Sequence, residues 1–269
     1  MHIIEIIRQA ELEPLDIKLL IRYVTGFSSV ELITHNDYPL NKAQLLQLNA
    51  LIQRRKNGEP LHYILGYKEF YSREFIVTPD TLIPRPETEL LVEKVLEITN
   101  IIAKQNIEIL DLGTGSGCIA ITCKLENPLL QIYAVDKYQA TLDIAIKNAK
   151  QLGADIKFIL SDWFDFISDR FDIIVSNPPY IALADAHLND LQFEPQYALT
   201  DAHDGLKHIK HIITYAHNYL NQNGYLLFEH AYNQGKLVRE LFQANAFTNV
   251  ETLQDYSGLD RITLGKHIN

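Results

Sequence analysis

The feature that most constrains the fold is a strict alternation of short apolar segments with amphipathic segments from about residue 86 onward. Apolar runs typical of strands occur at 107–113, 131–136, 156–162, 171–177 and 225–230. Apolar residues at helical spacing lie around them, at about 86–103, 117–126, 139–151, 204–221 and 233–245. Because strands that alternate with helices form parallel sheets covered on both faces, this part of the chain is predicted to be an α/β domain.

The segments on either side of this alternation differ in pattern. Over residues 1–66 apolar residues recur at helical spacing, which predicts a small helical domain. Alternating aromatic and β-branched residues with interspersed prolines predict a β-hairpin linker over 67–84. Two strand-like segments at 249–255 and 260–266 have no helix between them and predict an antiparallel hairpin at one sheet edge. The domain over 85–269 is therefore predicted to contain a seven-stranded, mostly parallel sheet.

The composition is that of a globular chain rather than a disordered or membrane-spanning one. Hydrophobic residues make up 47% of the chain and charged residues 22%, which is sufficient for a full core. No run approaches the roughly 18 to 20 consecutive apolar residues of a membrane span. The first residues, MHIIEIIRQAELE, carry acids where a signal peptide has a basic segment. We therefore expect a cytoplasmic protein with no membrane partner.

The two cysteines, Cys118 and Cys123, lie in one predicted helix. At this spacing they point roughly 140° apart around the helix axis, so they cannot pair with each other. We expect two buried thiols in a reducing compartment.

The charge balance argues against a nucleic-acid substrate. The formal net charge is -10, and residues 85–269 hold fifteen basic against twenty-four acidic residues. Proteins that grip a phosphate backbone usually show the opposite balance, because Lys and Arg supply most of that affinity. We expect no direct binding of nucleic acid, although a local basic patch is compatible with an acidic chain.

A glycine-rich loop follows the first strand of the predicted sheet. After Asp111 and Leu112 it consists of Gly113, Thr114, Gly115, Ser116 and Gly117. Glycines at a strand-to-helix turn let the backbone approach a nucleotide-like ligand closely. A dinucleotide fingerprint would require a third glycine where Cys118 stands, which weakens a nicotinamide interpretation. The alternative to a binding loop is a purely structural glycine turn.

Acidic and aromatic side chains follow at the ends of the next two strands. Asp136 ends the second strand, at about the spacing from the loop where an acid accepts hydrogen bonds from ribose hydroxyls. Together, the loop and this acid fit S-adenosylmethionine, which has a ribose but no diphosphate. Trp163 follows the third strand, where an adenine ring is predicted to pack on its indole; core packing is the alternative.

The most informative motif is Asn177-Pro178-Pro179-Tyr180, directly after the fourth strand. Two prolines cannot continue a strand, so they fix a stiff turn that presents hydrogen-bond acceptors at the sheet edge. We expect the Asn177 side-chain oxygen and the Pro178 carbonyl each to accept one N–H from a planar nitrogen, while Tyr180 stacks on its plane. This would direct the nitrogen lone pair at the sulfonium methyl without a strong base. The alternative is a turn capped by Asn, since Asn-Pro often opens turns.

In combination, these features resemble class I (Rossmann-like) methyltransferases that act on planar nitrogens, a group with adenine N6 and glutamine N5 members. Further stretches resemble the HemK/PrmC family of release-factor glutamine methyltransferases. These stretches are 54–66 (RRKNGEPLHYILG), 82–89 (LIPRPETE), 194–199 (EPQYAL), 204–206 (DGL), and the tail residues Asp260 and Arg261. The resemblance covers about residues 16–269 and is loose before residue 54. The segment from Thr200 to His203 departs from the glycine pair that relatives often have there.

This resemblance implies transfer of a methyl group from S-adenosylmethionine to the glutamine N5 of the Gly-Gly-Gln motif in class I peptide chain release factors. This methylation would modulate translation termination. S-adenosylhomocysteine would be the product. The implied cofactor-binding residues are Gly113, Thr114, Gly115, Ser116, Gly117, Asp136, Trp163 and Asn177. The glutamine would contact Asn177, Pro178, Pro179 and Tyr180, of which Asn177, Pro178 and Tyr180 would be catalytic. The N-terminal helices would recognise the body of the release factor, and we expect a monomer. Alternatives are a ribosomal-protein glutamine methyltransferase and a nucleic-acid adenine methyltransferase.

Three other features receive weaker interpretations. Arg85 and Glu87 are candidates for gating the cofactor pocket, or they belong to the start of a helix. No metal site is predicted, because the histidines lack the ligand spacing of known sites. Glu229 and His230 are interpreted as strand-end residues, since no nucleophile motif accompanies them.

Overall fold

The computed structural model describes residues 1–268, which separate into two compact units, Met1–Tyr67 and the chain from Lys68 onward. The helices of the first unit are α1 (Ile3–Gln9), α2 (Pro14–Thr25), α3 (Ser29–Thr34), α4 (Lys42–Lys56) and α5 (Leu61–Leu65). Asn41 caps α4 by accepting a hydrogen bond from the backbone N–H of Gln44 at 2.9 Å. Ile17, Leu20 and Ile21 on one face of α2 are fully buried in the core of this unit.

A two-stranded sheet leads into the second unit. Its strands are β1 (Tyr67–Phe70) and β2 (Arg73–Ile76). The Asn148 side chain bonds both backbone groups of Ile76, accepting from its N–H at 2.8 Å and donating to its carbonyl at 3.0 Å. Through these bonds β2 is fixed to the body of the second unit.

Each predicted helix and strand of the second unit is present. The helices are α6 (Thr88–Ile101), α7 (Cys118–Glu126), α8 (Gln139–Leu152), α9 (Gln196–Leu199), α10 (Lys207–Ala216) and α11 (Gly235–Ala244), with a short 3-10 helix at Ala186–Leu191. The strands are β3 (Glu108–Leu112), β4 (Gln131–Asp136), β5 (Lys157–Leu160), β6 (Phe171–Ser176), β7 (Leu220–Glu229), β8 (Thr248–Gln254) and β9 (Asp260–Lys266). However, β6 follows β5 with no helix in residues 161–170 between them, and α9 and the short 3-10 helix add to the predicted elements.

The main sheet has seven strands in the order β5-β4-β3-β6-β7-β9-β8. The pairs β3–β4, β3–β6, β4–β5 and β6–β7 are parallel, and β9 pairs antiparallel with both β7 and β8. The predicted fold class, a mostly parallel seven-stranded sheet with an antiparallel hairpin at one edge, is confirmed. Within that hairpin β8 is the outer strand, and β9 lies inside the sheet.

The core lies on both faces of this sheet. Side chains alternate along each strand, so Ile173 and Val175 of β6 pack with α6 and α7 on one face. Ile174, between them, packs with α10 and α11 on the other. Cys118 and Cys123 are free and buried, and burial raises the pKa of Cys118 to about 12, so this thiol is protonated at neutral pH. No helix of residues 1–268 is long and apolar enough to cross a bilayer.

One predicted boundary is wrong. The helix expected over 204–221 ends at Ala216, and β7 begins at Leu220, five residues before the strand expected at 225–230. The register against β6 shifts between Phe171 and Ile173, and Asn223 has a φ of 65°. An irregular, polar start of this kind lacks the apolar alternation by which a strand is found in a sequence.

Candidate active site

The glycine loop connects β3 to α7 and takes a conformation that favours glycine. Gly113, Gly115 and Gly117 have φ angles of 71°, 59° and 83°, all in the left-handed region. A Cβ on Gly113 would lie 3.5 Å from the indole ring of Trp163, and one on Gly117 would meet Ile121 at 2.7 Å. The loop is therefore held against the sheet edge with its backbone close to its neighbours.

Asp111, which precedes this loop, is a fully buried carboxyl group. It accepts a hydrogen bond from the Thr114 hydroxyl at 2.7 Å, which ties the strand to the loop. Burial raises the pKa of Asp111 to about 7, and the nearby Asp136 charge acts in the same direction. In an unfolded chain this carboxyl ionises near pH 4, so between about pH 4 and the raised folded-state pKa of about 7 the folded protein holds a proton here that the unfolded chain has lost.

We expect this proton to make the stability depend on pH. Because the folded-state pKa of Asp111 is raised, the free energy of unfolding should fall as the pH rises from 5 to 7. At roughly 1.4 kcal/mol per pH unit, the contribution of Asp111 to this fall is about 2 kcal/mol. Asp111→Asn removes the titrating group, so the free energy of unfolding of this variant should lack this contribution to its fall with pH. Urea unfolding of both proteins at pH 5, 6 and 7 measures it. A difference in unfolding free energy between them that is the same at all three pH values would contradict the assignment.

Asp136 stands at the end of β4, beside the glycine loop. One carboxylate oxygen accepts the Gly115 backbone N–H and the other accepts the Tyr138 N–H, both at 3.1 Å. Burial raises the pKa of Asp136, and these backbone hydrogen bonds oppose the rise. The carboxylate is thus oriented by the loop, and each oxygen has further lone pairs for hydroxyl donors.

Trp163 lies across the loop from Asp136, in a left-handed backbone conformation with φ 52°. Its carbonyl accepts the Ser161 hydroxyl at 3.0 Å, and its ring lies 5.2 Å from the His208 ring, centroid to centroid. The side chain is partly buried and borders a cavity. This position gives the cavity a flat aromatic wall.

The Asn-Pro-Pro-Tyr motif follows β6 at the same edge of the sheet. The Asn177 side-chain nitrogen donates to the Thr88 hydroxyl at 3.2 Å, and the Tyr180 hydroxyl donates to Glu229 at 3.1 Å. Burial and the adjacent Glu229 raise the pKa of Tyr180 well above its ordinary value. The phenol therefore stays protonated at neutral pH and acts as a hydrogen-bond donor.

The carboxyl ends of β3, β4, β5 and β6 surround a cavity of about 400 Å³. The predicted site residues that line it are Gly113, Thr114, Gly115, Ser116, Asp136, Trp163, Asn177 and Pro179. Gly117, Pro178 and Tyr180 are outside this lining. The volume lies within the range of about 300–1,000 Å³ for small-molecule sites, and its position at the strand ends is where open α/β sheets bind ligands.

Comparison with known proteins identifies the family. Residues 2–66 match the PrmC N-terminal domain, and residues 86–192 match the methyltransferase small domain. The release factor glutamine methyltransferase of Neisseria gonorrhoeae is 46% identical over 264 residues, covering 96% of this chain and 95% of the relative. The chain belongs to the release factor glutamine methyltransferase family. The resemblance stated from the motifs is thereby confirmed.

Solved structures related to this release factor glutamine methyltransferase family member share its fold at low sequence identity. A methyltransferase from Pyrococcus furiosus is 14% identical, with a TM-score of 0.56 over 82% of this chain and 98% of that one. The 16S rRNA N2 G1207 methyltransferase of Thermus thermophilus, solved with AdoMet and guanosine, is 19% identical, with a TM-score of 0.52 over 74% and 49%. These similarities establish the class I methyltransferase fold.

In this release factor glutamine methyltransferase family member, sequence reasoning missed the contact between Thr88, which lines the cavity, and Glu229, which was interpreted only as a strand-end residue. Thr88 begins α6 and donates its hydroxyl to Glu229 at 2.6 Å, and both side chains are buried. Burial raises the pKa of Glu229, and the hydrogen bonds from Thr88 and Tyr180 oppose the rise. Glu229 ends β7 at the same sheet edge as Asp136 and Asn177, and that shared position is the signal that could have found it.

A second missed feature is a set of hydrogen bonds that joins residues 80–85 to residues 194–197 at the cavity. Arg85 donates to Glu194 at 2.5 Å, and the backbone N–H of Ile83 donates to the same buried carboxylate at 3.0 Å. Farther along, the Tyr197 hydroxyl donates to the Asp80 carbonyl at 3.0 Å. Arg85 thus lines the cavity and is bound to Glu194, whereas Glu87 precedes α6 and is outside the lining.

The segment from Thr200 to His203 is organised by Asp201. Its buried carboxylate accepts the backbone N–H groups of His203, Gly205 and Lys207 at 2.8, 3.0 and 2.8 Å. Ala202 has a φ of 60°, a conformation that glycine takes without steric cost. The hydrogen bonds of Asp201 thus surround a left-handed residue that is not glycine. As for metals, residues 1–268 contain no group of three His, Cys, Asp or Glu side chains that could hold an ion.

Proposed function

We propose that this protein transfers the methyl group of S-adenosylmethionine to the side-chain amide nitrogen of the glutamine in the Gly-Gly-Gln motif of class I peptide chain release factors. The observation that carries the proposal is the position of Asn177, on the wall of the cavity that the glycine loop and Asp136 also line. Membership of the release factor glutamine methyltransferase family supports the choice of a glutamine amide among planar nitrogens.

The residues around the cavity fit S-adenosylmethionine. Asp136 offers carboxylate lone pairs for two ribose hydroxyls, and Trp163 offers a flat wall for the adenine. The left-handed glycines bring backbone, rather than side chains, to the place where the methionine part would lie. When bound, the cofactor supplies an electrophilic methyl group on a sulfonium. Gly117 would act by closing the loop onto α7, since a Cβ there would meet Ile121.

Asn177 acts on the glutamine amide through hydrogen bonding. An amide nitrogen is planar and a poor nucleophile, because its lone pair is delocalised into the carbonyl. Acceptance of its two N–H groups by Asn177 Oδ1 and the Pro178 carbonyl favours the transition state, where positive charge develops on this nitrogen. Pro178 and Pro179 fix the turn that holds both acceptors, and Tyr180 would pack against the amide plane. The proton lost after transfer is acidic, so no strong base is required.

The test is methylation of a purified class I release factor with methyl-labelled S-adenosylmethionine. We expect one labelled methyl on the glutamine of the Gly-Gly-Gln tripeptide, located by mass spectrometry. A release factor with that glutamine replaced by alanine is the control and should take up no label. We further propose that the protein acts as a monomer and that its first unit, Met1–Tyr67, contacts the body of the release factor.

Two outcomes would reject this assignment. Label in ribosomal protein with none in release factor would point to a ribosomal-protein glutamine methyltransferase. Label in RNA or DNA would point to an adenine methyltransferase, which the acidic charge of the chain disfavours.

A further inference from the structure

Three polar side chains from separate elements form a continuous hydrogen-bonded chain behind the Asn-Pro-Pro-Tyr motif. Asn177 Nδ2 lies 3.2 Å from Thr88 Oγ1, and Thr88 Oγ1 lies 2.6 Å from Glu229 Oε2. Thr88 and Glu229 are 2% and 1% exposed, so both hydrogen bonds are made by buried side chains. This series of hydrogen bonds runs from the cavity wall into the interior of the protein.

The direction of this chain follows from the number of protons on the Thr88 hydroxyl. A hydroxyl has one O–H to donate, and an ionised carboxylate can only accept. The short distance to Glu229 is typical of an O–H donated to a carboxylate. With Glu229 ionised, Thr88 Oγ1 can only accept a hydrogen bond from Asn177, and the group that donates it is the amide NH2.

We propose that Thr88 and Glu229 are positioning residues that fix which end of the Asn177 amide faces the cavity. With Nδ2 held by Thr88, Oδ1 is the end left to accept a substrate N–H. The reversed amide would place two N–H donors against the N–H donors of the substrate, and the acceptor that the reaction requires would be lost. This inference rests on the proposed function, because it concerns the orientation of the amide that the function uses.

The same carboxylate also holds the other end of the motif. Glu229 Oε1 accepts the Tyr180 hydroxyl at 3.1 Å, while Oε2 accepts Thr88. One buried group therefore sets the positions of two motif residues, and its two oxygens are each satisfied by a hydroxyl donor. This arrangement explains why a buried acid stands at the end of β7 although nothing in the proposed reaction requires a base.

Two substitutions of Thr88 separate the hydroxyl from the shape of the side chain. Thr88→Val keeps the shape and removes the hydroxyl, so kcat for release factor methylation should fall about 10- to 100-fold, as expected for an unsatisfied buried hydrogen-bonding group. The KM for S-adenosylmethionine should stay within about twofold, because valine keeps the shape of the Thr88 side chain where it lines the cavity and removes only the hydrogen bonds of its hydroxyl. Thr88→Ser restores the hydroxyl and should recover most of the wild-type kcat. Thermal melting of each variant establishes that it is folded at the assay temperature.

Glu229→Gln tests the direction of the hydrogen bonds that join Asn177, Thr88 and Glu229. The glutamine amide can donate to Thr88, which frees the Thr88 O–H to donate to Asn177 Oδ1 and favours the reversed amide. We expect a loss of kcat like that of Thr88→Val, and a double variant no worse than the more impaired single one, since residues of one network are not additive. Wild-type kcat in Thr88→Val would overturn the proposal even if Glu229→Gln failed to fold.

A second measurement requires no substrate and so separates this proposal from the proposed function. In the wild-type protein labelled with ¹⁵N, the Asn177 Nδ2 protons should show a nuclear Overhauser effect to the Thr88 methyl group. That signal should be weakened in Glu229→Gln. Its absence from the wild type would overturn the orientation, whether or not the release factor is methylated. A wild-type enzyme that leaves the release factor unlabelled but shows the signal would overturn only the proposed function.

Discussion

Replacing Asn177 with alanine is expected to lower kcat for release factor methylation roughly 10² to 10³-fold, the usual effect of removing one preorganised hydrogen-bonding group from a transition state. The side chain lines the cavity beside the glycine loop, and its oxygen is the acceptor proposed for the substrate N–H. The loop and Asp136, which would hold the cofactor, do not depend on it. Affinity for S-adenosylmethionine, measured by calorimetry, should therefore stay within about threefold while kcat falls.

Asn218→Ala is the matched control for this substitution. Asn218 is exposed and lies between α10 and β7, outside the cavity, so its loss should leave both kcat and cofactor affinity at the wild-type level. If Asn177→Ala methylated the release factor at the wild-type rate, the acceptor role of the side chain would be excluded. A loss of cofactor affinity equal to the loss of rate would indicate a binding role instead.

The largest expected effect on stability comes from Gly205→Ala. Gly205 has a φ of 78°, and an added Cβ would lie 2.2 Å from the backbone oxygen of Tyr180. A contact this short requires the backbone to move, in addition to the cost of the left-handed conformation. We expect a loss of roughly 2–5 kcal/mol, which corresponds to a fall in Tm of roughly 10 °C for a domain of this size.

Gly258→Ala separates the two contributions. Gly258 has nearly the same φ, 77°, but nothing lies within 4 Å of its added Cβ. This variant should lose only about 1 kcal/mol, from conformational strain alone. Thermal melting measures the Tm of both variants, and an equal decrease in Tm in the two would contradict this account. Because Tyr180 belongs to the Asn-Pro-Pro-Tyr motif, Gly205→Ala should also lower kcat at temperatures where it is folded, and Gly258→Ala should not.

The parts of the fold that follow a period could be predicted from the sequence. The strands around 107–113 and 171–177 are buried on both faces, and each has consecutive apolar residues at its centre, such as Ile109 and Leu110 or Ile173, Ile174 and Val175, which make it recognisable. The strand ends could then be placed at one edge, because parallel strands end on the same side. Gly113, Asp136 and Asn177 each follow or end one of these strands, and they line a single cavity.

The parts that depend on contacts between distant residues could not be predicted in this way. Thr88 and Glu229 are 141 positions apart, and no periodicity or spacing in the sequence relates one to the other. Thr88 begins α6, where a small hydroxyl residue is ordinary, and Glu229 ends β7, where an acid commonly meets solvent. Only the packing of α6 against β7 shows that the two side chains meet and are buried.

The position of β9 inside the sheet has a consequence for synthesis on the ribosome. β8 is made before β9 but pairs only with it, so β8 has no partner until Asp260–Lys266 have left the exit tunnel. Until then, the free edge of β7 exposes backbone groups that would pair with any other extended chain. Until β9 emerges, the nascent chain therefore has an unpaired strand edge through which it can aggregate.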